Sequence, residues 1–339
     1  MTKLNEILTV FRRNYSDVVG LDIGVSGTKA VRLKRVHGVP TVIAVDILPA
    51  ISLPDSEEGL IVPCQLPKVL KARYVAVAVS KGGGIVKLLT FPVHSGKTND
   101  EHVLELMGLG TETYYRLGYE PIFENRSVFR ALASALPDAF VKKICQLFPS
   151  GVPAPCSIEV SGLASLTAFS RLRGNENVDE CYVVMDFGAA VTLVAFYNKN
   201  TLALVRKLDF GTANVLKKLQ DSLGVDQDVA LGILNDGSFD VSKVVHHALE
   251  PFLQQLTISW DFVERRENIR IGKLFVCGGG VGLHLWAQEI ESATGQVPIR
   301  WNPFEGIAVQ GGAIPEKFKG QELRFSAAVG AALAMFKAG

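Results

Sequence analysis

The alternation of apolar and polar residues predicts where this 339-residue chain forms strands. Apolar and polar residues alternate along 28–33, which is typical of a strand with one buried face. Together with the apolar runs 18–23 and 41–48, they predict a meander of three strands at the start of the globular part. A second meander of three strands is predicted within 181–209.

Other segments show helical spacing or short buried runs. Leu4, Ile7, Leu8 and Phe11 recur at the spacing of one helix face, which predicts a short amphipathic helix within 1–16. A further pair of strands is predicted at 74–80 and 84–91, and three helices are predicted at 100–109, 111–117 and 128–148. A buried strand at 274–277 precedes a triple glycine, and an alanine-rich helix at 326–337 ends the chain.

Composition narrows the class of protein. The formal net charge is +1, whereas nucleic-acid-binding proteins usually carry a strong basic excess. Hydrophobic residues make up 48% of the chain, far from the composition of disordered proteins. The five cysteines are scattered without a CxxC pair, which argues against a zinc site and a disulfide framework. The sequence contains no recognisable signal peptide or membrane span, so we expect a cytoplasmic protein.

One motif occurs twice. Residues 22–28 read Asp-Ile-Gly-Val-Ser-Gly-Thr and residues 186–192 read Asp-Phe-Gly-Ala-Ala-Val-Thr, so both follow the pattern D-h-G-x-x-x-T, in which h is apolar. Each copy lies at the corner between the first two strands of a meander, and the copies are about half a chain apart. A single copy is equally typical of an ordinary strand-end turn, but two copies in the same context predict two related halves.

The residues of each copy suit an anionic ligand. Glycine at a corner allows backbone N–H groups to approach a phosphate closely, because no Cβ stands in the way. The threonine hydroxyl adds a donor, and Lys29 adds a positive charge beside the first copy. Asp22 and Asp186, at their strand ends, are predicted to hold water molecules of a magnesium ion. Two such corners facing each other would clamp a phosphate chain from both sides.

A third glycine-rich segment follows the buried strand 274–277. Gly278, Gly279, Gly280 and Gly282 lie between that strand and a helical stretch, an arrangement that brings backbone close to a ligand. Neither a Walker sequence nor a GxGxxG sequence occurs in the chain, which argues against a P-loop or a Rossmann nucleotide site.

The two corners and the triple glycine, in this order, resemble the phosphate and adenosine motifs of the actin-like ATPase superfamily. Within it, the chain most resembles the PilM family of type IV pilus assembly proteins, which are related to the cell-division protein FtsA. The segments that carry this resemblance are VGLDIGVSGTKAVRL (19–33), VKLLTFP (86–92), VMDFGAAVTLVAF (184–196), LFVCGGGVGL (274–283), VPIRWNPFEGIAV (297–309) and FSAAVGAALAM (325–335).

The resemblance implies an α/β fold, the actin-like ATPase fold, with two ribonuclease-H-like lobes, inserted subdomains and a nucleotide cleft between the lobes. The C-terminal helix is expected to pack back on lobe 1. The expected division is an N-terminal amphipathic helix at 1–16, a lobe 1 core at 17–73 plus 158–180, an FtsA-like inserted subdomain at 74–157, a lobe 2 core at 181–209 plus 269–339 and a small inserted subdomain at 210–268.

The expected ligands follow from the same resemblance. It implies ATP and Mg2+ as cofactors, with Asp22 and Asp186 holding the metal through water. The residues expected to contact the nucleotide are Gly24, Ser26, Gly27, Thr28, Lys29, Gly188, Ala189, Ala190, Thr192, Gly211, Thr212, Gly278, Gly279, Gly280 and Gly282.

The resemblance also implies a partner and a location. The expected partner is the short N-terminal cytoplasmic tail of a PilN-like inner-membrane protein. The chain would then lie at the inner face of the inner membrane, bound through that partner rather than directly. Self-association is left open by the residues.

Three positions depart from the family pattern. Ser161-Gly162 stands where related proteins often carry Glu-Pro, and Leu231 and Leu234 stand where they often carry a glutamate and a lysine near ribose and phosphate. Loss of the group that orients the attacking water typically costs on the order of a hundredfold or more in rate. We therefore expect slow or absent hydrolysis and a weak affinity for nucleotide.

Two other functions stay open at this point. A nucleotide-independent scaffold would use the same fold only to dock a peptide. A small-molecule kinase of the same superfamily is suggested by the likeness of DIGVSGTK to the DIGGTK of sugar kinases, although the sequence shows neither a zinc-binding cysteine cluster nor hydrophilic sugar-contact loops.

Overall fold

The computed structural model describes residues 15–54, 59–92, 100–110, 112–125, 127–173, 176, 179–236, 239–280 and 284–336. The helix predicted within 1–16 lies almost entirely outside these residues.

Two runs of strands, with helices between and after them, make up the described chain. The strands are β1 Asp17–Gly24, β2 Gly27–Val36, β3 Val39–Leu48, β4 Tyr74–Val79, β5 Ile85–Pro92, β6 Tyr115–Glu124, β7 Val128–Pro137, β8 Ala154–Val160, β9 Cys181–Phe187, β10 Thr192–Asn198, β11 Thr201–Leu208, β12 Lys273–Cys277, β13 Pro298–Arg300 and β14 Ala308–Val309. The α-helices are α1 Asp100–Leu106, α2 Asp138–Gln146, α3 Ser161–Arg173, α4 Thr212–Leu223, α5 Gln227–Asp236, α6 Ser242–Glu267, α7 His284–Thr294 and α8 Ser326–Ala334.

Two sheets share one strand order, as the repeat predicts. The order is β14-β3-β2-β1-β4-β8 in the first sheet and β11-β10-β9-β12-β13 in the second. In both, a meander of antiparallel strands is followed by parallel strands that lie beside its first strand. Apart from the short β14, the two sheets therefore have the same topology, which is the arrangement expected for two ribonuclease-H-like lobes.

The first inserted subdomain is smaller than expected. β5, β7 and β6 form a separate antiparallel sheet, against which Val103 of α1 and the following Met107 pack. β4 and β8, however, belong to the first sheet, so the expectation that the insertion covers 74–157 is wrong at both ends. β4 pairs with β1 rather than with β5, because its apolar residues are needed in the core of the first lobe.

Two helices predicted in this subdomain are wrong as well. Of the segment 111–117, residues 115–117 belong to strand β6, and of 128–148 the first ten residues form strand β7 before α2 begins. β7 contains alternating buried alanines, which favour a helix when they are considered alone. It pairs with β5 on one side and β6 on the other, and this pairing outweighs the local propensity.

Helices α4, α5 and α6 do not form a subdomain with its own core. Val215, Ala230 and Leu249, one from each helix, lie in the same hydrophobic cluster as Val183 of the second sheet. The segment 210–268 is therefore part of the second lobe, which corrects the expected boundary.

Helix α8 packs on the first lobe, where the C-terminal helix was expected. Its residues Ser326–Leu333 are all buried. A Cβ at Gly330 would overlap the carbonyl group of Ala164 on α3, and a Cβ at Gly20 on β1 would overlap the carbonyl oxygen of Ala328. The absence of side chains at these two positions lets the backbones of α8, α3 and β1 meet directly.

Candidate functional site

A cleft of about 660 Å3 opens where the two copies of the repeated motif meet. Asp22 of β1 and Asp186 of β9 both line it, and so does the start of α3. β1 and β9 hold equivalent positions in their sheets, so the two aspartates reach one cleft from different lobes.

The first corner, between β1 and β2, presents a buried lysine to the cleft. Lys29 lies directly across from Asp22 in the strand pairing and is only 5% exposed. Its Nζ donates to Ser26 Oγ at 3.0 Å and to the carbonyl oxygen of Gly27 at 3.2 Å. A Cβ at Gly24 would lie 3.3 Å from this Nζ. The corner therefore fixes one positive charge beside the backbone of the turn.

The second corner, after β9, is joined to the start of α4. The backbone N–H of Gly188 donates to the carbonyl oxygen of Val191 at 3.1 Å, which closes the turn. The N–H groups of Thr212 and Ala213 donate to the carbonyl oxygens of Gly188 and Ala189 at 3.2 and 2.8 Å. A Cβ at Gly211 would overlap these carbonyl groups. The first N–H groups of a helix usually lack a partner within the helix, and two of those of α4 are thus bound to carbonyl groups of the corner.

Two serines one turn apart on α3 each hold one of the aspartates. Ser161 Oγ donates to Asp22 Oδ1 at 2.6 Å, and Ser165 Oγ donates to Asp186 Oδ2 at 2.7 Å. Ser165 also lies 3.2 Å from the hydroxyl of Ser326 at the start of α8. One helix face therefore connects the carboxylates of both lobes. Ser165 is not among the residues predicted for the site, although its i to i+4 spacing from Ser161 is visible in the sequence.

Burial shifts the pKa values of the charged groups in the cleft. The pKa of Asp186 is raised to about 6, chiefly by burial and with a smaller contribution from the charge of Asp22, while the hydrogen bond from Ser165 and the charge of Lys29 oppose the shift. Burial also raises the pKa of Asp22, against the effects of Lys29 and Ser161. The pKa of Lys29 is lowered, again chiefly by burial.

The raised pKa of Asp186 predicts a pH-dependent stability. Between about pH 4 and about pH 6 the folded chain keeps a proton that the unfolded chain has lost, so the free energy of unfolding falls as pH rises through this window. A shift of about two pKa units corresponds to on the order of 3 kcal/mol. We expect Asp186→Asn to lack this loss, so that its stability relative to wild type improves from pH 4 to pH 6. Urea unfolding at several pH values measures the difference, and a constant difference would contradict the assignment.

Most of the predicted site residues line the cleft, namely Asp22, Gly24, Ser26, Lys29, Asp186, Gly188, Ala189, Thr212, Gly278 and Gly279. Others lie beside the cleft without lining it, namely Gly27, Thr28, Ala190, Thr192, Gly211 and Gly280. Gly282 falls outside the described residues.

The two threonines of the repeat require a correction. Thr28 is fully buried and lies on the face of β2 opposite to Lys29, because successive strand residues point to opposite faces. None of the described residues accepts a hydrogen bond from its hydroxyl. Thr192 Oγ1 donates to the carbonyl oxygen of Phe210 at 2.8 Å and so ties β10 to the segment before α4. The structure therefore does not support the expectation that both hydroxyls contact phosphate.

The triple glycine closes around the second aspartate. Gly278 has a φ of +94°, and a Cβ there would overlap Asp186 Oδ1. Its N–H donates to the carbonyl oxygen of Leu323 at 2.9 Å, and the N–H of Gly280 donates to that of Phe187 at 2.9 Å. The segment therefore packs against β9 and against the turn before α8 without any intervening side chain.

Three leucines and a second cation complete the lining of the cleft. Leu231 and Leu234 of α5, two of the positions that depart from the family pattern, line it, and Leu216 of α4 lies with them. Arg324 adds a second cation to the lining and was missed, because only the packing of α8 on the first lobe brings it to the cleft.

The described residues contain no group of three or more histidine, cysteine, aspartate or glutamate side chains arranged to hold a metal ion. Among the described helices, none combines the length and apolar character needed to cross a bilayer.

Comparison with known proteins identifies the family. A protein-family model described as type IV pilus assembly protein PilM matches residues 155–336, more than half of the chain. The chain belongs to the PilM family. A search of curated proteins by sequence gave no match.

One solved structure has the same fold over nearly the whole chain. A structure of a PilM-PilN type IV pilus biogenesis complex has a TM-score of 0.76 at 20% identity, over 95% of this chain and 99% of that chain. Ethanolamine utilization protein EutJ from Carboxydothermus hydrogenoformans gives a TM-score of 0.44 at 13% identity, over 96% and 92%. Ta0583, an archaeal actin homolog, gives 0.44 at 15%, over 94% and 98%. The PilM family member described here has the actin-like ATPase fold, with two lobes of the same topology around one cleft.

Proposed function

We propose that this type IV pilus assembly protein binds ATP in the cleft between its lobes. The observation that carries the proposal is that Asp22, Lys29 and Asp186 line one cleft together with Gly278 and Gly279 of the glycine cluster 278–280. The cleft volume of about 660 Å3 lies within the roughly 300–1,000 Å3 typical of small-molecule sites. Nucleotide retained by the purified protein, measured by mass spectrometry, tests the proposal, whereas a protein that neither retains nor takes up ATP contradicts it.

The residues present fit a magnesium ion that arrives with the nucleotide. Mg2+ usually keeps several waters and binds through one or two carboxylates plus substrate phosphates. Asp22 and Asp186 each have one carboxylate oxygen bound to a serine, and the other oxygen is the one that would hold the metal through water. When bound, the ion would neutralise part of the phosphate charge.

The partner proposed for this chain is the short N-terminal cytoplasmic tail of a PilN-like inner-membrane protein. Membership of the PilM family and the fold shared with a PilM-PilN complex support this proposal. The chain would then work in the cytoplasm at the inner face of the inner membrane, held there by its partner.

Hydrolysis of the bound ATP is expected to be slow or absent. At the cleft, Ser161 Oγ is bound to Asp22, and a serine hydroxyl replaces the carboxylate that would orient water. We expect intact ATP to dissociate from the protein faster than it is hydrolysed. A single-turnover assay with labelled ATP measures both rates, and formation of ADP ahead of ATP release contradicts the expectation.

A second candidate function is a scaffold that docks the tail without nucleotide. The observation that favours it is that several polar contacts to nucleotide expected from the family pattern are missing. Leucines stand at two of the positions where related proteins often carry polar residues, and the two threonine hydroxyls of the repeat lie outside the cleft. Capture of a PilN-type tail peptide distinguishes the two functions. Docking that is the same with and without ATP, and unchanged in Asp22→Ala, favours the scaffold.

The small-molecule kinase alternative can be tested in the same single-turnover assay. Adding a panel of sugars to the labelled-ATP assay would reveal phosphate transfer. Transfer to any of them would replace the proposed binding role with a kinase activity.

A further inference from the structure

The cleft contains a second cation besides Lys29. Arg324 lies in the turn Glu322–Phe325, directly before helix α8. The backbone of this turn is bonded to the glycine cluster through Leu323, whose carbonyl oxygen accepts from Gly278. A Cβ at Gly279 would lie 3.9 Å from Arg324 Cγ. Lys29 thus belongs to the corner of the first lobe, and Arg324 lies against the glycines of the second.

Neither cation forms a close ion pair with a carboxylate of the described residues. In the part of the chain that the structure describes, no aspartate or glutamate oxygen lies within 4.0 Å of Lys29 Nζ or of the Arg324 guanidinium. Arg324 Nη1 donates to Gln321 Oε1 at 2.6 Å, which is a neutral acceptor. The aspartates of the cleft are instead bound to Ser161 and Ser165.

The two cations also act on each other. The pKa of Lys29 is lowered mainly by burial, Asp22 opposes this, and the charge of Arg324 lowers it further. Burial lowers the pKa of Arg324 as well. Like charges that are partly removed from water repel each other more strongly than they do in solvent. An anion bound between them would relieve this repulsion and satisfy the remaining donors.

We propose that Arg324 binds the phosphate chain of the ligand, so that the cleft holds a polyphosphate between Lys29 and Arg324. This inference rests on the proposed function. A guanidinium suits the role because its planar set of N–H donors matches two phosphate oxygens at once. The contact is with phosphate and not with base or sugar, so the same residue should act on nucleotides and on inorganic polyphosphate alike.

Affinity measurements on two ligands test the proposal. Isothermal titration of the full chain with ATP and with inorganic tripolyphosphate would compare wild type, Arg324→Ala and Arg324→Lys. We expect Arg324→Ala to weaken the affinity for both ligands by a similar factor of at least about ten, since hydrogen bonds between charged groups are stronger than those between neutral groups. Arg324→Lys, which keeps the charge but not the planar donors, should lose less affinity than Arg324→Ala. Arg206→Ala, which removes an exposed arginine of β11, is the matched control and should change neither affinity.

The outcomes separate this inference from the function on which it rests. If wild type binds neither ligand at millimolar concentration, the proposed function fails and the role of Arg324 fails with it. If wild type binds ATP and Arg324→Ala binds it equally well, only the role of Arg324 is overturned. A loss for ATP without a loss for tripolyphosphate also overturns it, because the contact would then be with the nucleoside. Arg324→Gln replaces the alanine variant if thermal unfolding shows that the latter does not fold.

Discussion

Alanine in place of Gly330 is expected to lower the free energy of unfolding by about 3 kcal/mol or more. The added Cβ would overlap the carbonyl group of Ala164 on α3, which is backbone and cannot rotate away. Helix α8 would have to move off α3, and it is buried along Ser326–Leu333. Because α3 holds Asp22 and Asp186 through its two serines, we also expect this variant to lose nucleotide binding.

Gly232 offers a matched control for this prediction. It lies inside helix α5, and a Cβ there would have no atom within 4 Å. Alanine at such a position removes the conformational freedom of glycine from the unfolded chain, so Gly232→Ala should stabilise by up to about 1 kcal/mol. Urea unfolding of both variants gives the comparison. A Gly330→Ala protein as stable as wild type would show that α8 and α3 do not pack as closely as described.

Removal of Lys29 is expected to weaken nucleotide affinity strongly without disturbing the packing of the lobes. Its Nζ is held at the first corner by Ser26 and Gly27, and the side chain is almost fully buried. A charge-assisted contact to phosphate in such surroundings is worth roughly 1.5–3 kcal/mol, so Lys29→Ala should weaken ATP binding by about ten- to a hundredfold. Lys34→Ala, which removes an exposed lysine of the same strand, should leave the affinity unchanged.

Titration calorimetry at fixed salt measures this prediction. Lys29→Met serves as a second variant, because it keeps most of the buried volume where alanine leaves a gap. If both Lys29 variants bind ATP as wild type does while remaining folded, the assignment of the first corner as a phosphate site is wrong.

The repeated motif made the main features of the architecture predictable. A duplicated corner at the start of two meanders requires two sheets of the same order, and the structure has them. The positions of Asp22, Lys29 and Asp186 in one cleft could be anticipated, because equivalent strand ends of two related lobes meet at their common boundary. These predictions depend on local patterns that fix neighbouring elements.

Other features depend on contacts between distant segments, and sequence patterns alone did not reveal them. The alanines of β7 favour a helix until two partner strands pair with them. Arg324 reaches the cleft only because α8, which follows the second lobe in the chain, packs back on the first lobe. Thr28 and Thr192 match the motif, but strand alternation and a bond to Phe210 direct their hydroxyls elsewhere.

If the two repeated corners form one site for ATP, titration of the wild-type chain with ATP and Mg2+ should show saturable binding of one nucleotide per chain. The same titration of Asp186→Ala should show a clear loss of that binding. Absence of any binding to the wild-type chain at millimolar nucleotide would show that the corners form no such site and leave a pilus assembly protein whose cleft has lost its ligand.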